Sequence, residues 1–310
     1  MEHIPVLAVV GPTASGKTAL SVELAKHLGG EIVSADSMQI YKGMDIASAK
    51  PTEAEKQGIP HHMMDFLPPE TPYSVAEYVK AARACILEIH KRQNLPILVG
   101  GTGLYVDSLL TDTQFIETET DFKLREQLET EFDALGGEKM LEKLAAFDRD
   151  TAARLHPNNR KRIIRAFEVY QLTGKTMTEA LASSRENPSP FAPKYIGIAY
   201  ENREILYDRI NRRVDIMLEN GLLEEARAFF KGTPDTAAQA IGYKELKPYL
   251  DGVLSLREAV ENLKRATRNY AKRQITWFKR NPQIHWIYAD TCSEEALLAQ
   301  AITFAETETV

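Results

Sequence analysis

Residues 9–18 read VVGPTASGKT, an apolar run that passes into a G-x-x-x-x-G-K-[ST] loop and on into helix-patterned sequence. No other stretch narrows the possible folds as much. The glycines let backbone amides converge on an anion, and the following helix turns its positive end toward it. Gly11, Pro12, Thr13, Ala14, Ser15, Gly16, Lys17 and Thr18 therefore form a candidate cradle for a phosphate or diphosphate. Lys17 adds a mobile positive charge, and Thr18 a hydroxyl placed to ligate Mg²⁺. The motif is strong for phosphate and weak for ATP in particular.

The surrounding sequence repeats one pattern. HIPVLAVV has strand length, and GKTALSVELAKHLG has helical spacing with glycine at its end. GEIVSAD is a second strand-like run that stops at Asp36, and HHMMDFLPP suits a short third strand. SVAEYVKAARACILEIHKRQ reads as an amphipathic helix opened by a Ser74–Glu77 capping box, and LPILVGGTG again runs a strand into glycines. Strands alternating with helices in this way predict an α/β fold, a P-loop NTPase-like parallel sheet flanked by helices. From about residue 112 the composition turns charged and helix-prone, until the proline-rich ENPSPFAPK gives way to YIGIAY. The sequence thus predicts a core of residues 1–112 and 194–310 with a helical C-terminal part, interrupted by an inserted, mostly helical domain over 113–193. REILYDRINRRVDIMLENG, LLEEARAFFKG and SLREAVENLKRATRNYAKRQITWFKR are helical runs. IHWIY suits a last strand, and CSEEALLAQAITFAETETV a helix ending in a frayed tail.

Composition narrows the class further. No apolar run approaches the roughly 20 residues of a membrane span, and the N-terminus lacks a basic leader with a cleavable apolar stretch. Cys85 and Cys292 lie far apart without metal-ligand spacing, as reduced thiols of a cytoplasmic protein would. His61 and His62 also lack partners at metal-ligand spacing and read as structural, while Cys85 reads as core. A formal charge of -6 argues against a uniformly basic coat for nucleic acid, yet allows local basic patches.

A nucleoside triphosphatase also needs a carboxylate at a strand end for Mg²⁺ and a group that positions water. LPILV ends in GGTG without an acid, and only the strand before DSMQIY delivers one, Asp36. By type and place Asp36 is a Mg²⁺ ligand as in many kinases, a base beside the phosphate site, or the cap of the next turn. GGTGLYVDSLL is either a second amide-rich turn facing the same crevice, which would suit a diphosphate plus an acceptor, or a simple tight turn.

GPTASGKT, DSMQIYKGMDIASAKP, VGGTGLY, AIGYKEL and KRQITWFKR, in that order over nearly the whole chain, closely resemble the bacterial tRNA dimethylallyltransferases (tRNA isopentenyltransferases). The resemblance implies transfer of a dimethylallyl group from dimethylallyl diphosphate to the exocyclic amine of adenosine 37, beside the tRNA anticodon, with Mg²⁺ as cofactor. The loop would then hold a diphosphate that is also the leaving group. Its amides, Lys17 and Mg²⁺ at Thr18 would stabilise charge developing on the pyrophosphate oxygens. By the same resemblance Asp36 corresponds to the base that relieves the adenine amine of its proton. Thr13 corresponds to a residue near the reacting centre, and Arg213 to an arginine on the diphosphate. Ser37, Gln39 and Thr102 would line the adenine pocket, and Asp36 and Met38 beside them would also meet the tRNA.

An adenine stacked in a loop must be extruded to reach a buried diphosphate, and basic patches would help to offset that cost. LHPNNRKRIIR supplies Arg160, Lys161, Arg162 and Arg165, and residues 257–280 carry eight Lys/Arg against two Glu. If helical, Lys264, Arg268 and Lys272 form an i, i+4, i+8 stripe beside Arg273, interleaved with Tyr270, Trp277 and Phe278, which could stack on bases. The resemblance places these segments on the tRNA anticodon stem-loop, together with an insertion arginine aligned with Arg125. The expected partners are tRNA and dimethylallyl diphosphate, for a monomer that needs neither membrane nor protein partner. A small-molecule kinase, a prenyltransferase acting on AMP or ATP, and a non-catalytic RNA-binding protein are the alternatives. The insertion and the basic C-terminal segment favour tRNA over a free nucleotide.

Overall fold

The computed structural model describes residues 3–115, 121–184, 188–231 and 240–307. The frayed tail expected at the extreme C-terminus falls largely outside them. The chain divides into two compact units, Met1–Leu110 with Pro190–Val310, and Thr111–Ser189.

The larger unit is built on a parallel sheet of β1 (Ile4–Val10), β2 (Gly30–Ser34), β3 (His61–His62), β4 (Leu95–Gly100), β5 (Phe191–Ala199) and β6 (Ile284–Tyr288). Their spatial order is β3-β2-β4-β1-β5-β6. Five consecutive residues of β1, Val6–Val10, are buried, as expected of a central parallel strand covered by helices on both faces. One core face gathers Leu7, Val9, Leu24, Ile32, Ile97, Ile196 and Ile198. Truncating a fully buried member such as Ile97 to alanine should cost roughly 2–5 kcal/mol.

The helices of this unit are α1 (Lys17–Leu28), α2 (Glu53–Lys56), α3 (Val75–Lys91), α4 (Gly103–Leu110) and, after the second unit, α9 (Arg203–Glu219), α10 (Leu222–Lys231), α11 (Tyr243–Leu250), α12 (Leu256–Phe278) and α13 (Glu294–Glu306). The Ser74–Glu77 capping box is present at α3, and Ser255–Glu258 forms another at α12. α1 differs: its N-cap is Gly16, with no side-chain hydrogen bond. Its first amides are therefore left for another acceptor.

Two strand extents differ from the sequence reading. The third strand is only His61–His62, pairing with Ile32 and Val33. β5 begins at Phe191, ahead of residue 194, because Phe191–Pro193 pair with Ile4–Val6. β6 joins β5 only from Tyr195, so Pro193 lies where the strand has one neighbour and a missing amide is tolerated.

The smaller unit contains α5 (Phe122–Ala145), α6 (Arg149–Arg154), α7 (Arg160–Thr173) and α8 (Met177–Ser183). Leu128, Met140, Leu144, Ile163, Ile164 and Phe167 form its core. Asp148 ties α6 to α8, accepting from the amides of Thr151 and Thr178 and from the Thr178 hydroxyl.

Candidate functional site

The C-terminal ends of β1, β2 and β4 open into one cavity of about 350 Å³, on the side of the sheet where parallel α/β folds bind ligands. β1 feeds the glycine loop, which has left-handed or otherwise positive φ at Ala14 (62°) and Gly16 (96°). Such a sequence of angles turns successive amides toward one point, a nest for an anion. Gly11 passes so close to β5 that a Cβ would lie 2.7 Å from the Ile198 carbonyl oxygen. Thr13, Ala14, Lys17 and Thr18 line the cavity. The Ser15 hydroxyl is buried beneath them without a hydrogen-bond partner among the described residues.

Lys17 Nζ donates to the Pro12 carbonyl at 2.6 Å. Burial brings its ammonium down to about 7; the nearby Arg213 guanidinium adds to the effect and Asp36 opposes it. Arg213 extends from α9 and its Nη1 donates to Thr13 Oγ1 at 3.5 Å. One turn earlier Arg209, which the sequence reading passed over, donates from Nε to the Ala14 carbonyl at 3.0 Å. The i, i+4 spacing of Arg209 and Arg213 is the signal that could have found it.

Asp36 follows β2 and also faces the cavity. Its Oδ1 accepts the Met38 amide at 2.8 Å and the Gln39 amide at 3.4 Å, so it caps the next turn, while Oδ2 makes no hydrogen bond among the described residues. Burial raises its carboxyl above the ordinary aspartate value, against the pull of those two amides, Lys17 and Arg213. A carboxylate raised in this way is a stronger base.

Ser37, Met38 and Gln39 line the cavity, whereas Thr102 stands behind Ser37 and accepts its amide at 3.1 Å. The Gln39 amide is engaged within the protein: Oε1 accepts from Ser34 Oγ, and Nε2 donates to the carbonyls of Ser48 and Ala49. Gln39 thus fastens the 39–49 loop to β2 while it lines the cavity. The GGTG turn does pack at the same crevice. Gly101 and Gly103 abut Gln274 and Trp277 so closely that neither has room for a Cβ.

The far wall is apolar. Met44, Ala47, Val214, Met217, Leu222, Ile241 and Leu263 line it, continuous with a core cluster under α9, α10 and α12. The cavity therefore joins an anion cradle to a greasy wall, with a carboxylate beside the cradle.

The basic stripe on α12 is divided. Lys264 Nζ pairs with Asp215 at 2.7 Å, and Arg268 Nη1 donates to Asn211 Oδ1 at 2.6 Å, so both face α9. Lys272 and Arg273 are exposed, and Arg273 lies over the Tyr270 ring while also reaching the cavity. The aromatic side chains are divided as well. Phe278 is 2% exposed, Trp277 donates its indole N–H to Asp107 at 2.7 Å, and Tyr270 lines the cavity. In the smaller unit Arg125 and Arg165 both pair with the buried Glu168, and Arg160 pairs with Asp133. Lys161 and Arg162 are exposed, with no ion pair among the described residues.

His62 Nε2 and Arg92 share the buried Glu31, whose carboxyl falls to about 2, mainly through Arg92. No group of three or more His, Cys, Asp or Glu among the described residues could hold a metal ion. Cys85 is half-buried, and burial pushes its thiol up to about 11. No described helix is long and apolar enough to cross a membrane.

A parallel α/β sheet with a phosphate loop, two loop-facing arginines and an amphiphilic cavity defines a class of proteins that handle phosphorylated substrates with an apolar part. Residues 39–281 match the family described as IPP transferase, and residues 4–67 match Isopentenyl transferase. A tRNA dimethylallyltransferase of Caldanaerobacter subterraneus subsp. tengcongensis is 49% identical over 292 residues, covering 93% of this chain and 92% of that protein. Among solved structures, the full-length tRNA isopentenylpyrophosphate transferase of Bacillus halodurans superposes with a TM-score of 0.73 at 42% identity, covering 98% of this chain and 95% of that one. A eukaryotic dimethylallyltransferase acting on tRNA superposes with a TM-score of 0.82 at 30% identity, covering 96% and 77%. The chain belongs to the IPP transferase family.

Proposed function

We infer that this protein is a tRNA dimethylallyltransferase: it transfers the dimethylallyl group of dimethylallyl diphosphate to the exocyclic amine of adenosine 37 in tRNA and releases diphosphate. The observation that carries the site assignment is the union of anion cradle, adjacent carboxylate and apolar wall in one cavity. The diphosphate lies on the loop amides, Lys17 and Arg213, and the dimethylallyl group lies toward Met44, Met217 and Leu263. As the allylic C–O bond breaks, negative charge builds on the departing oxygens, and preorganised donors stabilise it without reorganising. Asp36 Oδ2 takes the proton from the attacking amine.

The donor set suits Mg²⁺ of the kind held by one hydroxyl and by substrate phosphates, since Thr18 faces the cavity and no carboxylate cage surrounds it among the described residues. When bound at Thr18, Mg²⁺ would neutralise charge on the diphosphate. Lys161, Arg162, Lys272 and Arg273, exposed and basic, are the residues we assign to tRNA backbone contact. Arg125, Arg165, Lys264 and Arg268 act by holding their helices. The free thiols Cys85 and Cys292 agree with a cytoplasmic enzyme, which we take to be a monomer with the insertion as its acceptor-binding domain.

The test is mass analysis of unmodified tRNA after incubation with enzyme, Mg²⁺ and dimethylallyl diphosphate. A C5 unit on one adenosine of the anticodon loop is expected. Unmodified tRNA, or phosphorylation of a small molecule from ATP in its place, would refute the assignment.

A further inference from the structure

Gln274 bridges the phosphate loop and the GGTG turn directly. It lies on α12, is 5% exposed, and lines the cavity. Its Oε1 accepts the Thr13 amide at 2.8 Å, and its Nε2 donates to the Gly101 carbonyl at 3.0 Å. Chemistry alone sets the orientation of this amide, because a backbone N–H can only donate and a carbonyl can only accept. The absence of a side chain at Gly101 is what makes room for the bridge.

One consequence is specific to Thr13. Its amide, unlike the amides that open α1, is withdrawn from the anion nest and fixed to Gln274. What Thr13 presents to a diphosphate is its hydroxyl, held from the other side by Arg213. Main chain and side chain of Thr13 are thus pinned by two different helices, α12 and α9.

We propose that Gln274 is a positioning residue for group transfer, setting the Thr13 hydroxyl against the departing diphosphate by locking the Thr13 amide. This rests on the transferase assignment above. A bridge that served only to hold the core together would change stability and donor affinity. A positioning role changes the chemical step, and changes it only while the Thr13 hydroxyl is present.

The experiment is a double-mutant cycle on the full chain with Gln274→Met, Thr13→Val and the pair, measuring kcat for transfer to tRNA, Kd for dimethylallyl diphosphate, and Tm. Gln274→Met should lower kcat by about 30-fold or more while Kd changes by less than about 3-fold, because misplacement rather than lost binding is the defect. The pair should be no slower than the slower single variant by more than about 3-fold. Multiplicative losses, an unchanged kcat, or a fall in kcat matched by an equal loss of donor affinity would overturn the proposal. If Gln274→Met fails to fold, Gln274→Ala, which removes the acceptor toward Thr13 and leaves space for water to satisfy the two backbone groups, is judged by the same cycle. A wild-type protein that adds no C5 unit refutes the transferase assignment, whereas wild-type transfer with multiplicative losses refutes the role of Gln274 alone.

Discussion

Lys17 has an unusual ionisation for a lysine that must hold an anion. Burial and Arg213 bring it to about 7, so at higher pH the free protein keeps it mostly neutral. A bound diphosphate reverses the balance and restores the charge. Binding must then take up a proton wherever the pH exceeds about 7, and affinity must fall as pH rises. If the bound ammonium titrates near its ordinary 10.5, the protonated fraction of the free site drops about 75-fold between pH 7.5 and 9.5. The Kd for dimethylallyl diphosphate should rise by that factor, equivalent to about 2.5 kcal/mol. The charge of this donor is nearly constant over the range, since its last phosphate ionisation lies near pH 6. Calorimetry in two buffers of different ionisation enthalpy at pH 8.5 should report uptake of close to one proton. The facing groups, Asp36 and Arg213, remain in Lys17→Met, which should bind more weakly at pH 7.5 and show a nearly flat profile. A flat wild-type profile without proton uptake would show that Lys17 keeps one protonation state through binding, and the account of its lowered ionisation would fail.

Asp36→Asn keeps an oxygen for the Met38 amide and so preserves the turn, yet it should lower transfer by roughly 100- to 10,000-fold with donor binding intact. Comparable transfer by this variant would remove Asp36 as the base. Glu225, on α10, accepts the amides of Asp45, Ile46 and Ala47 and the Tyr243 hydroxyl. Glu225→Gln replaces one acceptor with a donor, so it should cost about 1–3 kcal/mol and lower Tm by several degrees; an unchanged Tm would contradict this. Lys272→Ala should reduce the slope of log K for tRNA against log salt by nearly one, while Lys264→Ala, whose ammonium sits on Asp215, leaves the slope almost unchanged. Equal slopes for the two variants would mean that the ion pair opens on binding.

Much of the site was legible because its signals are local. The strand, glycine loop and helix around Lys17 occupy adjacent residues, and their geometry follows from glycine conformations and helix polarity alone. Asp36 is likewise local, the first acid beyond a strand that ends beside the loop. The α/β class followed from alternating strand and helix patterns, each set by side-chain spacing over a few residues. The start of β5 was not legible, since prolines that mark a loop in isolation are tolerated where a strand has a single neighbour.

What only tertiary structure decided is the fate of groups whose partners lie far along the chain. Gln274 meets Thr13 across 261 residues, and Glu225 meets the 45–47 amides across about 180, with no periodicity to announce either contact. Lys264 and Lys272 are both lysines on one helix, two turns apart. One is neutralised by Asp215 because α9 packs there, and the other faces water. Phe278 and Trp277 looked like stacking platforms until packing turned one into the core and bound the other to Asp107. Sequence specifies which chemical groups are available and how the backbone near them bends. Whether a charge is free or paired, and whether an amide is open or locked, depends on the neighbour that folding brings up against it.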